Sequence, residues 1–170
     1  MEKNGVGPRK KSVARLVACQ ALFTYYDRNS SDRNIKSILK SIGEYYIEDS
    51  FYGKYSRIIR NYLDRSDFIV NLLEGVIANV EELDSMISNF LHKPLTLETL
   101  DGVVLQSLRL ASFELKNYPK TDVGVIVSEY VDIVSEFYGG AYTAFTNGIL
   151  DKMGKYLREN SKNWEQLRKN

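Results

Sequence analysis

V-G-V-I-V, Val123–Val127, is the stretch on which the fold class turns. Four of its five residues are β-branched, and such residues favour a strand. The residues that follow argue otherwise. Val123, Ile126, Tyr130, Val134 and Phe137 recur with a period near 3.6, and no partner strand is evident elsewhere in the chain. The segment therefore reads as a helix, capped by Thr121 or Asp122 and stopped at Gly139–Gly140. With that choice made, the whole chain reads as all-α.

Outward from this point the pattern is helix after helix. On the N-terminal side, Val104, Leu108, Ala111 and Leu115 form one row of a helix expected over Thr99–Leu115, and Pro119 marks the turn after it. Ser66 reads as the N-cap of a broad apolar stripe from Phe68 to Val80, which continues through Leu91 up to Pro94, and the sequence shows no visible mark of a break near Val80–Glu82. Residues 49–63 have helical spacing weakened by Gly53 and several tyrosines. Asp27–Asn34 is a loop by composition, followed by a helix over Ile35–Tyr46. The first helix is expected over Ser12–Tyr26, capped by Ser12, with Val13, Leu16, Cys19, Phe23 and Tyr26 facing inward. The last helix covers Ala141–Arg158. Residues 1–157 form the domain, and the polar residues 158–170 are expected to fray.

The final helix contains F-T-N-G-I-L-D-K, Phe145–Lys152. A glycine inside a helix costs about 1 kcal/mol relative to alanine. Gly148 therefore suggests that another element crosses closely there, and Asn147 that a side-chain amide has a hydrogen-bonding task. A tight helix crossing with no ligand fits the same two residues.

The chain has 170 residues, 44% hydrophobic and 26% charged, which suits one ordinary domain. One cysteine, Cys19, excludes an internal disulfide and reads as a small core residue. No apolar run approaches a membrane span, and the polar N-terminus lacks the apolar core of a signal peptide, so a cytoplasmic protein is expected. A single histidine, His92, leaves no His/Cys cluster for a metal. No phosphate-cradling glycine loop is present. Glu81, Glu82 and Asp84 read as a solvated helix face. No cofactor and no enzymatic activity are expected.

Charge is unevenly spread. Residues 1–15 carry five basic residues against one acid, and residues 152–170 carry six against two. The net charge is +1, so the stretch between is acidic. Basic ends can approach a phosphate backbone, and an acidic middle can accept a basic protein.

Several stretches, in register, resemble the family of the bacterial transcription antitermination factor NusB. A-R-L-V-A-C-Q-A-L-F (Ala14–Phe23) is similar to its first-helix signature. L-L-E-G-V (Leu72–Val76) resembles its L-L-x-G-V, and Leu108–Leu115 resembles its L-R-x-A-x-Y-E-L. F-T-N-G-I-L-D-K is similar to F-V-N-G-V-L-D-K. The resemblance covers about Val13–Lys152 and implies an all-α bundle of about seven helices in two packed subdomains.

The resemblance also implies a function. Family members pair with NusE, a ribosomal protein that doubles as a transcription factor, bind the boxA element of nascent RNA, and help RNA polymerase read through terminators in ribosomal RNA operons. A homodimer burying the RNA face is a second implied state. On this reading Phe23, Tyr26 and Phe145 stack on bases, Gln20 and Asn147 bond base edges, and Lys10, Lys11 and Arg15 hold phosphates. Phe23 and Phe145 equally fit a plain core, and Arg15 a pairing with an acid.

The chain departs from the family in four places. Lys11, Ser12 and Val13 stand where an arginine-rich run is common, and Ala141–Ala144 where D-S-x-K is common. Ser128 replaces the usual Asn before Glu129, and Glu48–Leu63 has no counterpart.

Overall fold

The computed structural model describes residues 10–27, 29–48 and 67–167. Among them are seven α-helices and no strand. They are α1 (Lys10–Tyr26), α2 (Ile35–Glu48), α3 (Asp67–Ala78), α4 (Val80–Ser88), α5 (Gly102–Asn117), α6 (Val123–Phe137) and α7 (Gly140–Leu167), with a 3-10 turn at Leu97–Thr99. The all-α expectation holds. The chain divides into two units, residues 1–71 and 72–170. The expected cap at Ser66 and the ambiguous segment 49–63 lie outside the described residues.

In the first unit α1 packs on α2. The apolar face expected of α1 is displaced. Val13, Ala14, Val17, Ala18, Ala21 and Leu22 are buried, together with Cys19, whereas Phe23 is 46% exposed. Three alanines let neighbouring atoms approach closely, so this side of the helix is covered and the larger rings turn outward. Ser12 lies inside the helix, which begins two residues earlier at Lys10. Asn34 caps α2 by accepting from the Ser37 N–H at 3.1 Å.

In the second unit α5, α6 and α7 pack pairwise, with α4 against α5. The V-G-V-I-V segment is helical because both local and tertiary terms favour it. Asp122 caps α6, its Oδ1 accepting from the Val125 N–H at 3.3 Å. Ile126, Tyr130 and Val134 are fully buried. Burying such side chains stabilises by about 1.5–3 kcal/mol each, which exceeds a β-propensity scale spanning about 1 kcal/mol. Phe137, the last member of the expected row, is instead 46% exposed.

Several boundaries differ from expectation, among them the start of α5, which falls at Gly102 behind an Asp101 cap rather than at Thr99. The break after α3 falls at Asn79, whose side-chain amide donates to the Gly75 carbonyl at 2.7 Å. Gly139–Gly140 is not a left-handed stop, since no described glycine has positive φ. Tyr138, extended at φ −137° and ψ 159°, ends α6, and Gly140 opens α7. α7 runs past Arg158 to Leu167, because no proline or glycine interrupts residues 155–167 and several strong helix formers fill them.

Among the described residues, the close crossing expected at Gly148 is absent. A Cβ there would meet nothing within 4 Å. Close approach occurs at two other glycines. At Gly154 an added Cβ would lie 2.5 Å from Val123 Cγ1, and at Gly75 it would lie 2.0 Å from Phe113 Cζ. The acids expected as a solvated face also have structural tasks. Asp84 accepts from Arg109 Nε and Nη2, both at 2.7 Å, and Glu82 pairs with Lys116. These pairs tie α4 to α5.

Candidate nucleic-acid interface

The candidate residues fall in both units, and each unit is described by itself. On α1, Gln20 and Phe23 lie three residues apart and so share one side of the helix. Gln20 is part-exposed and Phe23 more so. Tyr26 sits one turn on from Phe23, its ring edge-on to Tyr25 with centroids 5.0 Å apart. These three candidates are brought together on the C-terminal half of α1.

The cations are placed differently. Lys11 is exposed, with Nζ 5.2 Å from the centroid of the Phe68 ring. Arg15 shares that ring at 5.6 Å but is only 2% exposed. Both cations lie within cation–π reach of that ring. Arg15 is thus buried rather than on the surface, with its guanidinium against the Phe68 ring. Lys10 opens α1. Lys11 precedes Gln20 by nine residues, which is about half a turn around and about 13 Å along the helix.

One cation was missed from sequence. Arg33 lies with its guanidinium 5.7 Å from the Tyr25 ring, beside the Tyr25–Tyr26 pair. It is held there by donating to the carbonyls of Ser30 at 2.7 Å and Asp27 at 3.1 Å. Asx turns shape the loop, with Asp27 accepting from Asn29 N–H and Asp32 from Asn34 N–H. The Asp32 carboxyl is held below its usual range by its hydrogen bond with Ser37, then by the Asn34 N–H, with Arg33 adding to both. A loop of this composition gave no signal that one of its arginines would stand against an aromatic ring.

Beside this face a cavity of about 390 Å³ opens between α1 and α2, lined by Gln20, Thr24, Asp32, Ile38, Ser41, Ile42 and Tyr45. Gln20 thus borders both the aromatic strip and a recess.

In the second unit Phe145 lines a groove of about 240 Å³ with Leu95, Thr99, Leu100, Asp101, Val104, Ala141 and Tyr142. Asn147 is exposed, but two helical residues span about 200°, so it points away from the Phe145 side. The structure does not bring these two candidates together. Lys152 follows Phe145 by seven residues and shares its side, with exposed Gly148 between them.

A family model described as the NusB family matches residues 12–155. The chain belongs to the NusB family. Among its relatives, the transcription antitermination protein NusB of Caulobacter vibrioides is 32% identical over 161 residues, covering 94% of this chain and all of that protein. The protein of the same name from Sphingopyxis alaskensis is 30% identical, covering 89% and 96%. The solved structure of T. maritima NusB superposes with a TM-score of 0.60 at 28% identity, covering 88% of this chain and 92% of that one. A structure of antitermination factors NusB and NusE in complex with dsRNA shares the fold, with a TM-score of 0.62 at 23% identity and coverage of 88% and 99%.

Several NusB-like motif residues turn out to be structural. Gly75 of L-L-E-G-V admits the Phe113 ring. Arg109 of the L-R motif holds Asp84 and also donates to Gln106 at 3.2 Å. Glu114, 1% exposed, accepts from the Tyr130 hydroxyl at 3.0 Å. Cys19 is buried and His92 exposed. Among the described residues no group of three or more His, Cys, Asp or Glu could hold a metal ion. No helix among them is long and apolar enough to cross a membrane.

Proposed function

We propose that this protein is a non-enzymatic transcription antitermination factor that pairs with NusE, binds boxA RNA, and acts with RNA polymerase during ribosomal RNA synthesis. The observation that carries this reading is membership of the NusB family over residues 12–155, with relatives named as antitermination proteins along nearly the whole chain. The outward placement of Gln20, Phe23 and Tyr26 supports an RNA face on α1, since unpaired bases are read by stacking and by bonds to their edges. Arg33 is the cation beside that face, and Lys11, half a turn around α1 from Gln20, offers a phosphate contact on another side of the same helix.

A gel-shift titration with boxA and scrambled RNA, with and without NusE, tests it. A boxA-selective shift that strengthens with NusE is expected, along with loss of the shift in Lys11→Glu combined with Phe23→Ala. Equal shifts for boxA and scrambled RNA in every condition would sink the recognition claim.

A second reading has its own support. Ala141–Ala144 lack the acid and base common in the family, and Arg15 is buried. A helical module that binds NusE with little RNA affinity of its own would show NusE capture that added RNA does not change.

A further inference from the structure

The groove beside Phe145 contains an acid that none of the candidates above includes. Its walls are mostly apolar, with Leu95, Leu100, Val104 and Phe145, and Tyr142 lines it too. Asp101 is the one acid among the lining residues. It caps α5, with Oδ1 accepting from the Val103 N–H at 2.8 Å, and its second carboxylate oxygen takes no part in that bond. Ala141, in the first turn of α7, lines the same groove. The fold therefore sets the carboxylate that caps α5 beside the first turn of α7.

Aromatic rings stand next to it. Tyr142 is 46% exposed, and its ring lies 4.8 Å from that of Tyr138, tilted by 36°. Phe137, also 46% exposed, follows at 6.5 Å from Tyr138.

The geometry points to Asp101 and Tyr142 as specificity and affinity determinants for one unpaired nucleobase of single-stranded RNA. This rests on the RNA-binding reading above and deepens it. The base stacks on the Tyr142 ring, and Asp101 accepts from its exocyclic amino group. Stacking tolerates every base, because each has a π face. The carboxylate selects: cytosine, adenine and guanine carry an amino donor, whereas the uracil N3–H lies between two carbonyl oxygens that a carboxylate repels. Asp101 also disfavours a phosphate in the groove, so it is the base that enters. The backbone runs instead along the side of α7 that carries Gly148 and Lys152. Among the described residues a Cβ at Gly148 would meet nothing within 4 Å, which leaves room for close approach, and Lys152 supplies a cation. An arginine-bearing protein segment would suit the acid and rings but would meet Lys152 on the same side.

Fluorescence anisotropy with 12-nucleotide boxA RNAs, scanned by single uridine replacements and measured with NusE present, tests the assignment. Wild-type protein discriminates against uridine at one position. Tyr142→Ala weakens binding of all oligonucleotides about fivefold or more. Asp101→Ser keeps a capping hydroxyl and loses that one discrimination, with Asp101→Asn as a second cap-preserving variant showing the same loss. Wild-type binding without uridine discrimination, or variants that bind all oligonucleotides like the wild type, overturns the base assignment while the RNA reading stands. Variants that keep RNA affinity but lose NusE capture assign the groove to protein and overturn it too. Absence of RNA binding by the wild type overturns both readings together.

Discussion

Gly148→Ala separates what the sequence implies about the last helix from what the fold does there. From sequence, a glycine inside α7 signals a close crossing, and an added methyl would clash. In the structure the same methyl meets no heavy atom of the described residues within 4 Å. Only the intrinsic term remains, and alanine is better than glycine in a helix interior by about 0.8–1.0 kcal/mol. Part of that gain comes from restricting the unfolded chain. In a domain of this size it raises the midpoint of thermal unfolding by about 2–4 °C. Gly154→Ala is the matched control on the same helix. Its Cβ would lie 2.5 Å from Cγ1 of Val123, whose β-branched side chain has little freedom to swing aside. Overpacking costs about 1–3 kcal/mol, which meets or exceeds the propensity gain. Circular dichroism melts and urea titrations of both variants give the two signs directly. A destabilised Gly148→Ala would refute the reasoning, since it would require an intramolecular neighbour at that position.

Further outcomes follow from the polar packing and from the exposed ring. Asp84→Ala removes both acceptors of the Arg109 fork and should lower stability by about 2–3 kcal/mol in urea unfolding, with a smaller loss for Glu82→Ala at the more exposed Lys116 pair. The Tyr118 hydroxyl is pushed above its ordinary value of 10.0, first by burial and then by the nearby Glu114 carboxylate. The folded state thus holds this proton more tightly than the unfolded chain does, so stability is intact below pH 10 and falls as pH rises through the folded value. Tyr118→Phe should flatten that alkaline limb, and an unchanged stability–pH curve would count against the coupling. Phe23→Ala should weaken RNA binding with little change in melting temperature, because the ring is 46% exposed. Arg15→Ala should do the reverse and destabilise the fold, and a normal melt with lost RNA affinity would return Arg15 to the RNA surface.

Helix type and order were legible in the residues because they rest on local physics. Period, caps and breakers act within a few positions, so Val104, Leu108, Ala111 and Leu115 lie buried along α5 as their spacing indicates, and Asp122 caps α6. Even the β-branched V-G-V-I-V resolved correctly once its longer period was counted. The face of α1 was less legible, because small alanines carry little hydropathy yet form the packed side.

Long-range neighbours were decided by tertiary structure alone. A one-dimensional pattern does not say which glycine meets another chain segment, and the close approaches fall at Gly75 and Gly154 rather than Gly148. It does not say whether an arginine in a signature sits in solvent or over a ring, and Arg15 is over Phe68 while Arg33 comes up beside Tyr25. Nor does it reveal that Asp101 and Ala141, forty positions apart, line one groove. Each of these depends on a distance that local period does not set and that the folded packing does.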